Sequence, residues 1–505
     1  MSGVPELRIR TVHSAEVSAK GDYVLYWMTA FRRTAFNFSL ERAVAWAEKL
    51  HKPLVIFEAL RSDYPWASDR LHRFVIEGMA DNAAQLAKKN LLYYPYLEPR
   101  HGAGKGLLKE LASRACVVVS DDFPAYFLPR MLDAAAAQIP VRFELIDSNG
   151  LLPMRAAAKV FARAVDFRRF LQKNLLPHLA EVPARDPLLR VKLPPLRELP
   201  QKITRRWPQA EPARRLAADD GLNSFPIDHS VRPAVTAGGS REAQKSCQAF
   251  FEHKLAWYES DRNQPEREAT SGLSPYLHFG HISVHQVFEE LTHLAGWTPD
   301  MVATKATGSS RGWWGTSPEV ESFLDQLITW RELGYNMCWQ RDDYDQYESL
   351  PVWAQKTLAR HARDPRPYVY SLEQFEAAET HDELWNAAQR QLVREGRIHN
   401  YLRMLWGKKI LEWSASPRES LAVMIELNNK YALDGRDPNS YSGIFWVLGR
   451  YDRAWGPERP IFGKIRYMSS ENTARKVKVR QYVERYAPGV CHAPDEENRS
   501  WKTRR

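Results

Sequence analysis

The sequence predicts an α/β amino-terminal half followed by an all-α carboxy-terminal half. Apolar runs alternate with helical patterns through about residue 150, and after Ser240 one helical pattern follows another to about Tyr486. Strands that alternate with helices predict a doubly wound parallel sheet with right-handed crossovers. We therefore expect an α/β domain over residues 1–185, a linker over 186–237, a helical domain over 238–487 and a tail over 488–505.

Each element of the sheet domain has its own signal. A helix with Ser39 as its N-cap is expected over 39–50, because Ala43, Ala47 and Leu50 share one face. A longer helix is expected over 71–89. Ligands of such sheets bind beyond the carboxyl ends of the strands. Apolar runs predict four strands, over residues 23–27, 53–57, 116–119 and 141–147.

Composition narrows the class of protein. The 505 residues include 17 Trp, 21 Tyr and 20 Phe, so there is ample material for packed cores, and disorder is excluded as a description of the whole chain. We find no apolar run approaching the roughly 18 residues of a membrane span. Lys and Arg outnumber Asp and Glu by 71 to 61, which suits a polyanionic partner without requiring one.

The cysteines and the first residues of the chain indicate in which cellular compartment the protein is expected. Cys116, Cys247, Cys338 and Cys491 lie far apart, so neither a disulfide framework nor a metal site is predicted. The first residues lack the apolar stretch of a signal peptide, and a cytoplasmic protein is expected.

The first half also contains a predicted linker and one glycine-rich loop. Residues from about Asp186 to Pro233 are rich in Pro and Arg, which predicts a long connection across the surface. The run from His101 to Gly106 looks like a phosphate loop, but it lacks the Ser or Thr after the lysine and the wider glycine spacing. We interpret it as a flexible loop before a helix.

Three segments of the helical half carry chemistry. From Thr270 to Gly280, hydroxyls and a glycine precede a helix that starts with proline, which suits an anion site or a plain capped helix. Trp406 and Trp413 are seven residues apart. They therefore lie on one face of a helix, roughly 10 Å apart along its axis. With Trp385 on the preceding helix they could pass an electron in short hops, or form a tryptophan-rich core stripe.

The third segment combines aromatic and basic residues. A turn rich in polar groups covers residues 434–439. Trp446 and Trp455 follow among several cations. Such a mixture suits a flipped or stacked base beside phosphates, or else a solvated basic face above two packed tryptophans.

Together these segments resemble the class II cyclobutane pyrimidine dimer photolyases of the photolyase and cryptochrome superfamily. The most specific matches are residues 385–389 and 403–413, and the resemblance covers most of the chain. It implies an antenna domain, a helical domain that binds FAD, and an enzyme, deoxyribodipyrimidine photo-lyase, in which excited reduced FAD splits the dimer's carbon–carbon bonds. It also implies damaged DNA as partner, and a monomer is expected.

The resemblance assigns roles to individual residues. The ion pair of Arg403 with Asp434 is implied beside the isoalloxazine ring, with Asn428 near flavin N5. The tryptophans that reduce the flavin on illumination would be Trp385, Trp406 and Trp413. The other implied cofactor contacts are Tyr258, Thr270, Ser271, Gly272, Leu273, Ser274 and Gly435. The implied contacts with the flipped lesion or the opened duplex are Trp330, Asn400, Met404, Trp446, Trp455 and Arg466.

The chain departs from the family pattern in places that concern the lesion. Gln326 stands where the family has a glutamate that contacts the dimer, so a hydrogen bond can be donated but no negative charge supplied. The (6-4) photolyases carry glutamine there, yet they also need a histidine pair, and the matching positions here are Asn400 and Met404. The cyclobutane dimer is the expected lesion, with a (6-4) lesion as an alternative.

Other readings stay open. A cryptochrome-like blue-light receptor would keep FAD and the tryptophans without lesion turnover, whereas the basic and aromatic region at residues 446–466 favours DNA. A nucleic-acid-binding module without cofactor would be colourless. The second chromophore could be 8-hydroxy-5-deazaflavin or methenyltetrahydrofolate, or its site could be empty. No family counterpart is found for residues 309–315.

Overall fold

The computed structural model describes residues 3–218 and 221–490. One six-stranded sheet lies in the amino-terminal half, in the strand order β1-β6-β5-β2-β3-β4. All neighbouring pairs are parallel except β1 with β6 at one edge. The strands are β1 (Ile9–His13), β2 (Tyr23–Met28), β3 (Leu54–Leu60), β4 (Leu92–Leu97), β5 (Ala115–Asp121) and β6 (Phe143–Ile146).

Helices cover both faces of the sheet and continue beyond it. The first group is α1 (Phe38–Leu50), α2 (Asp69–Leu86), α3 (Leu107–Ala112), α4 (Leu128–Ala136), α5 (Ala164–Asn174), α6 (Leu176–Leu179), α7 (Gln201–Arg206) and α8 (Pro212–Leu216). The α/β class predicted for this half is confirmed. Two separate clusters of buried apolar side chains fill the two sides of the sheet.

The carboxy-terminal half is helical, as predicted. Its first helices are α9 (Ser240–His253), α10 (Tyr258–Asp261), α11 (Ser274–His278), α12 (Val284–Leu294), α13 (Pro318–Leu324), α14 (Arg331–Gln340), α15 (Val352–Arg360) and α16 (Leu372–Glu376). The remaining ones are α17 (Glu383–Glu395), α18 (Asn400–Trp413), α19 (Pro417–Tyr431), α20 (Pro438–Val447), α21 (Ser470–Lys476) and α22 (Arg480–Arg485). A π-helical segment (Asp325–Trp330) joins α13 to α14.

The four predicted strands are present, and the sheet has two more. Strand β1 lies at one edge and is only half-buried, so its sequence lacks the continuous apolar run of a central strand. Strand β4 forms the opposite edge and contains Pro95, a residue that sheets tolerate at edges. The predicted doubly wound parallel sheet is confirmed, and edge strand β1, which was not predicted, runs antiparallel to β6.

The start of α1 differs from the prediction. Asn37, not Ser39, is the N-cap, and its side-chain oxygen accepts hydrogen bonds from the backbone N–H groups of Ser39 and Leu40. An asparagine satisfies the unpaired donors at a helix start as well as a serine does. Its amide nitrogen also donates to the carbonyls of Phe31 and Arg33, which leaves the side chain fully buried.

The crevice at the centre of the sheet is closed by the protein itself. Strand β2 lies between β5 and β3, so the strand order reverses there and a ligand crevice is expected. Asp121 at the end of β5 accepts hydrogen bonds from the N–H groups of Thr29, Ala30 and Phe31, all at 2.7–2.9 Å. Gly280 of the helical half then packs directly on the same loop, against the Ala30 carbonyl.

The predicted linker is more firmly packed than an ordinary surface connection. It contains α7 and α8, and it buries Leu199, Ile203 and Trp207 against one face of the sheet. The Trp207 indole N–H donates to the Ala103 carbonyl at 2.9 Å, which fixes the linker to the glycine-rich loop. The high content of proline and arginine in this segment led us to predict an exposed connection, so these buried apolar residues were not predicted.

The cysteines, potential metal ligands and possible membrane spans can be checked only in the residues that the structure describes. Cys116, Cys247 and Cys338 are free and buried, whereas Cys491 and most of the expected tail lie outside the described residues. Across residues 3–218 and 221–490 no cluster of potential metal ligands is present. Within that same part of the chain, every helix is too short or too polar to cross a bilayer.

Candidate active site

A buried ion pair marks the predicted cofactor site. Arg403 on α18 reaches Asp434 in the turn between α19 and α20, with 2.8 Å between Nη2 and Oδ1. The Ser274 hydroxyl at the start of α11 also hydrogen-bonds to Asp434. Three separate parts of the chain therefore meet at one carboxylate, and they include both the hydroxyl-rich segment and the polar turn singled out in the sequence.

The electrostatics of this cluster keep Asp434 ionised. Burial raises the pKa of its carboxyl, but the charge and hydrogen bonds of Arg403, with the Ser274 hydroxyl, outweigh burial and hold that pKa below its usual range. The two side chains retain 17% and 15% of their exposure, so the pair borders open space. Of the buried polar atoms in the described residues, Arg403 Nε is one without a hydrogen-bond partner. A ligand with acceptor groups would satisfy it.

The segment before α11 offers space for such a ligand. Gly272 has a φ of 70°, which favours glycine, and a Cβ there would meet no atom within 4 Å. Gly272 and Ser274 are exposed, whereas Leu273 between them is buried and anchors the turn. The donor set of hydroxyls, backbone N–H groups and one guanidinium suits the phosphates and hydroxyls of a dinucleotide, so the residues fit FAD.

Asn428 lies next to this cluster. Its side-chain amide donates to the Ser440 hydroxyl at 2.9 Å and to Asn429 at 3.1 Å, which fixes its orientation. The backbone of Gly435 packs on the Asn428 carbonyl so closely that a Cβ would come within 2.7 Å of the oxygen. This glycine therefore allows the 434–437 turn to fold back onto α19.

The three tryptophans of the predicted relay lie together on α17 and α18. The Trp385 indole N–H donates to the Trp406 carbonyl at 3.0 Å, and the Trp406 indole N–H donates to Gln389 at 2.9 Å. The rings of Trp385 and Trp413 lie edge to face, with centroids 6.0 Å apart. All three are buried in the core, and the passage of an electron along them stays a prediction.

Trp446 and Trp455 are joined by the cation between them. The Arg466 guanidinium lies 4.0 Å from the Trp455 ring centroid and 5.5 Å from that of Trp446. Asp452 pairs with Arg466 at 2.8 Å and accepts a hydrogen bond from the Trp455 indole at 3.2 Å. Arg466 therefore holds the two rings together, and its support of an opened duplex stays a prediction.

Lys408 is a site residue that the sequence did not single out. It is fully buried, donates to the Val447 carbonyl at 2.5 Å, and lies 4.9 Å from the Trp446 ring centroid. Burial lowers its pKa to about 7, partly opposed by the charge of Asp452. The lysine thereby fixes the end of α20, which carries Trp446, to α18.

This lysine predicts a pH dependence of stability. The pKa of Lys408 is about 7 when folded and about 10.4 when unfolded, so the unfolded chain binds more protons between these values. Its contribution to the free energy of unfolding therefore rises with pH across that window. Relative to wild type, Lys408→Met is expected to be most stabilised at pH 6 and to lose ~2–4 kcal/mol of that advantage by pH 9–10. Denaturant unfolding of both proteins at each pH measures the difference in their free energies of unfolding. A difference that does not change with pH would contradict the prediction.

The predicted lesion contacts Gln326, Trp330, Asn400 and Met404 come from two elements, the π-helical segment and α18. Gln326 and Trp330 both lie in the π-helical segment, four residues apart and half-buried, and such segments are frequent at functional sites. Met404 on α18 is half-buried and approaches Gly443 of α20, one turn before Trp446. Asn400 is exposed at the first position of α18.

Two predicted features have mainly packing contacts. Tyr258 packs edge to face against Phe250 and Phe323, and its hydroxyl hydrogen-bonds to Arg262, so its cofactor role stays a prediction. The 309–315 segment also packs inward, since Trp313 and Trp314 are both buried. Together with Arg168, Asp325 and Thr329, this segment lines a small cleft.

Comparison with known proteins gives the family. A photo-lyase named deoxyribodipyrimidine photo-lyase from Methanothermobacter thermautotrophicus is 35% identical over 95% of this chain and 97% of its own length. Proteins of the same name from Oryza sativa and Potorous tridactylus are each 33% identical, over 94% and 92% of this chain and 89% and 81% of their own lengths. The chain belongs to the deoxyribodipyrimidine photo-lyase family.

The fold agrees with membership of the photo-lyase family. A crystal structure of a class III photolyase from Agrobacterium tumefaciens superposes with a TM-score of 0.65 at 17% identity, and covers 94% of this chain and 88% of that one. It supports the combination of a mostly parallel sheet with a large helical part. No protein-family model matches the chain.

Proposed function

We propose that this protein repairs cyclobutane pyrimidine dimers in DNA in a light-driven reaction that uses FAD bound by its helical half. The observation that carries the proposal is the place of α18 in the molecule. This one helix bears Arg403 of the cofactor cluster, Trp406 and Trp413 of the relay, and Lys408, which holds the end of α20 beside Trp446. The cofactor cluster and the electron path therefore share this helix, and the end of α20 that carries Trp446 is tied to it through Lys408.

The side chains of the cofactor cluster divide the task of binding. Arg403, held by Asp434, supplies a fixed positive charge, and the 270–274 segment supplies hydroxyls and backbone donors. The Asn428 amide nitrogen donates to Ser440 and Asn429 beside the same turn, so its carbonyl oxygen can accept a hydrogen bond from the redox-active edge of a flavin. When bound and reduced, FAD supplies the light-excited electron that splits the dimer.

The Trp446 and Trp455 cluster supports a role in DNA binding. Aromatic faces stack on bases with little sequence preference, and photolyases are among the enzymes known to flip their target out of the duplex. Exposed cations nearby, Arg453 and Lys464, can contact phosphates, which predicts a salt-dependent affinity. A DNA substrate also implies an intracellular site of action.

In this proposal the π-helical segment contacts the lesion. Gln326 can donate a hydrogen bond to a pyrimidine carbonyl, but it cannot supply a proton. Ring opening of a cyclobutane dimer by a transferred electron needs no protein acid, so the amide is compatible with that lesion. The positions that would carry the histidine pair of a (6-4) enzyme are Asn400 and Met404, which cannot act as acids.

The domain division is also part of the proposal. The sheet half would serve as antenna domain over 1–185, connected through 186–237 to the FAD-binding domain over 238–487. A second chromophore, 8-hydroxy-5-deazaflavin or methenyltetrahydrofolate, would be held by this sheet half. The visible absorption spectrum of the purified protein identifies whichever pigment is bound.

A repair assay tests the proposal. Reduced protein is mixed with DNA that contains cyclobutane dimers, or with DNA that contains (6-4) lesions, in the dark and under blue light. Dimers are expected to disappear only under light, and (6-4) lesions are expected to persist. A yellow protein that leaves both lesions unchanged in light would favour the receptor alternative, and a colourless protein would favour a binding module.

A further inference from the structure

Aromatic contacts extend beyond Trp413 in this structure. The Tyr370 ring lies edge to face with Trp413 at 5.8 Å between centroids, and the His381 ring lies 4.9 Å from Trp413. The backbone N–H of Tyr370 donates to the Trp413 carbonyl at 3.0 Å, which fixes this contact. Tyr368, 48% exposed, stacks on His381 at 3.8 Å, so the aromatic contacts continue from the buried tryptophans to the surface.

Tyr370 and His381 are joined by a hydrogen bond of the kind that moves a proton. The distance from Tyr370 Oη to His381 Nδ1 is 2.7 Å. The backbone N–H of His381 already donates to the same Oη at 3.1 Å. With the neutral ring protonated at Nε2, the phenolic hydrogen therefore points at Nδ1. His381 is exposed, so a proton that it receives can pass on to water.

We propose that Tyr370 and His381 form a redox-active pair that terminates the tryptophan relay, a proposal that rests on the proposed function. An electron leaves the Tyr370 ring and reduces the Trp413 radical cation, which the relay forms when Trp413 has given an electron inward. The O–H bond of Tyr370 breaks, and its proton forms an N–H bond at His381 Nδ1. The products are neutral Trp413, a neutral Tyr370 radical and a protonated His381.

The charges around Trp413 favour this direction. The Lys409 ammonium lies 5.2 Å from the Trp413 ring centroid, and a cation over the ring stabilises its electrons and opposes a positive charge there. Burial opposes the charge of Lys409, but its hydrogen bond to Glu412, together with the negative charges of Glu412 and other acidic groups nearby, outweighs burial and raises its pKa, so the ammonium persists. At Tyr370 the positive charge leaves as a proton, which prevents the electron from returning quickly.

The test follows radicals rather than repair. Oxidised holoprotein is excited by a laser flash in H₂O and in D₂O, and tryptophanyl and tyrosyl radicals are followed by transient absorption and electron paramagnetic resonance. Wild type is expected to form a neutral tyrosyl radical more slowly in D₂O. Tyr370→Phe should lose that signal and prolong the tryptophanyl radical. His381→Gln should slow tyrosyl formation by about a hundredfold, the lower range of what a positioned base contributes.

Tyr368→Phe is the matched control, because it keeps the stacked ring and leaves the Tyr370 hydroxyl in place. It should form the tyrosyl radical as wild type does. Tryptophanyl radicals without any tyrosyl radical in wild type would overturn the pair and leave the proposed function standing. Loss of the signal in Tyr368→Phe instead of Tyr370→Phe would also overturn it. The absence of both radicals would overturn the relay together with the pair.

Discussion

Asp434→Asn is expected to fold but to purify with little or no flavin. Removal of the carboxylate leaves Arg403 without its partner in a site where both side chains are largely buried. The loss of one member of a buried ion pair costs about 3–5 kcal/mol, and the residual exposure here reduces that to ~1–3 kcal/mol. The neutral amide also releases Ser274 and the Arg403 side chain from their fixed positions, so flavin affinity should fall by about tenfold or more.

The measurement is flavin content per protein by absorbance, together with thermal unfolding. Asp122→Asn provides a control in the sheet domain, because Asp122 forms a two-point ion pair with Arg10, at 2.6 and 2.9 Å. That variant should lose stability yet keep its flavin. If Asp434→Asn loses the same stability and retains a full complement of flavin, the Arg403–Asp434 pair is a structural element and the cofactor lies elsewhere.

The fold could be predicted where burial is uniform. The central strands read as continuous apolar runs because both faces are covered, whereas β1 and β4 lie at the edges and carry mixed or proline-containing sequences. The π-helical segment had no local signal. It arises between α13 and α14, where Arg168 of α5 pairs with Asp325 at 2.7 Å, a contact between residues distant in sequence.

In the candidate site, too, some features could be predicted from local sequence and others depend on contacts between distant residues. Residues that are close in sequence, such as Trp406 and Trp413, could be placed on one helix from spacing alone. Lys408 is conspicuous only after α20 is seen to end above it, since Val447 is 39 residues away. Likewise, nothing in the sequence pairs Asp452 with Arg466, because a turn of the chain brings them together. Long-range contacts therefore decide which charges are available to a ligand.

Trp406→Phe is expected to separate photoreduction from repair. A phenyl ring holds its electrons more tightly than an indole, so reduction of oxidised flavin under light should slow by about a hundredfold or more, equivalent to ~3 kcal/mol of activation free energy. Enzyme that is reduced chemically beforehand does not use the relay, and its repair should fall far less. The two rates are measured on the same preparation, by flavin absorbance and by the loss of dimers.

The substitution also removes the hydrogen bond from the Trp406 indole to Gln389, which leaves a buried acceptor unsatisfied at a cost of about 1–3 kcal/mol. Trp297→Phe controls for this effect, because Trp297 is equally a buried tryptophan and its indole N–H donates to the Trp314 carbonyl at 2.6 Å. It should lose comparable stability while photoreduction stays fast. Equal loss of photoreduction and repair in Trp406→Phe would mean that this tryptophan supports the packing of α17 against α18 rather than the passage of an electron.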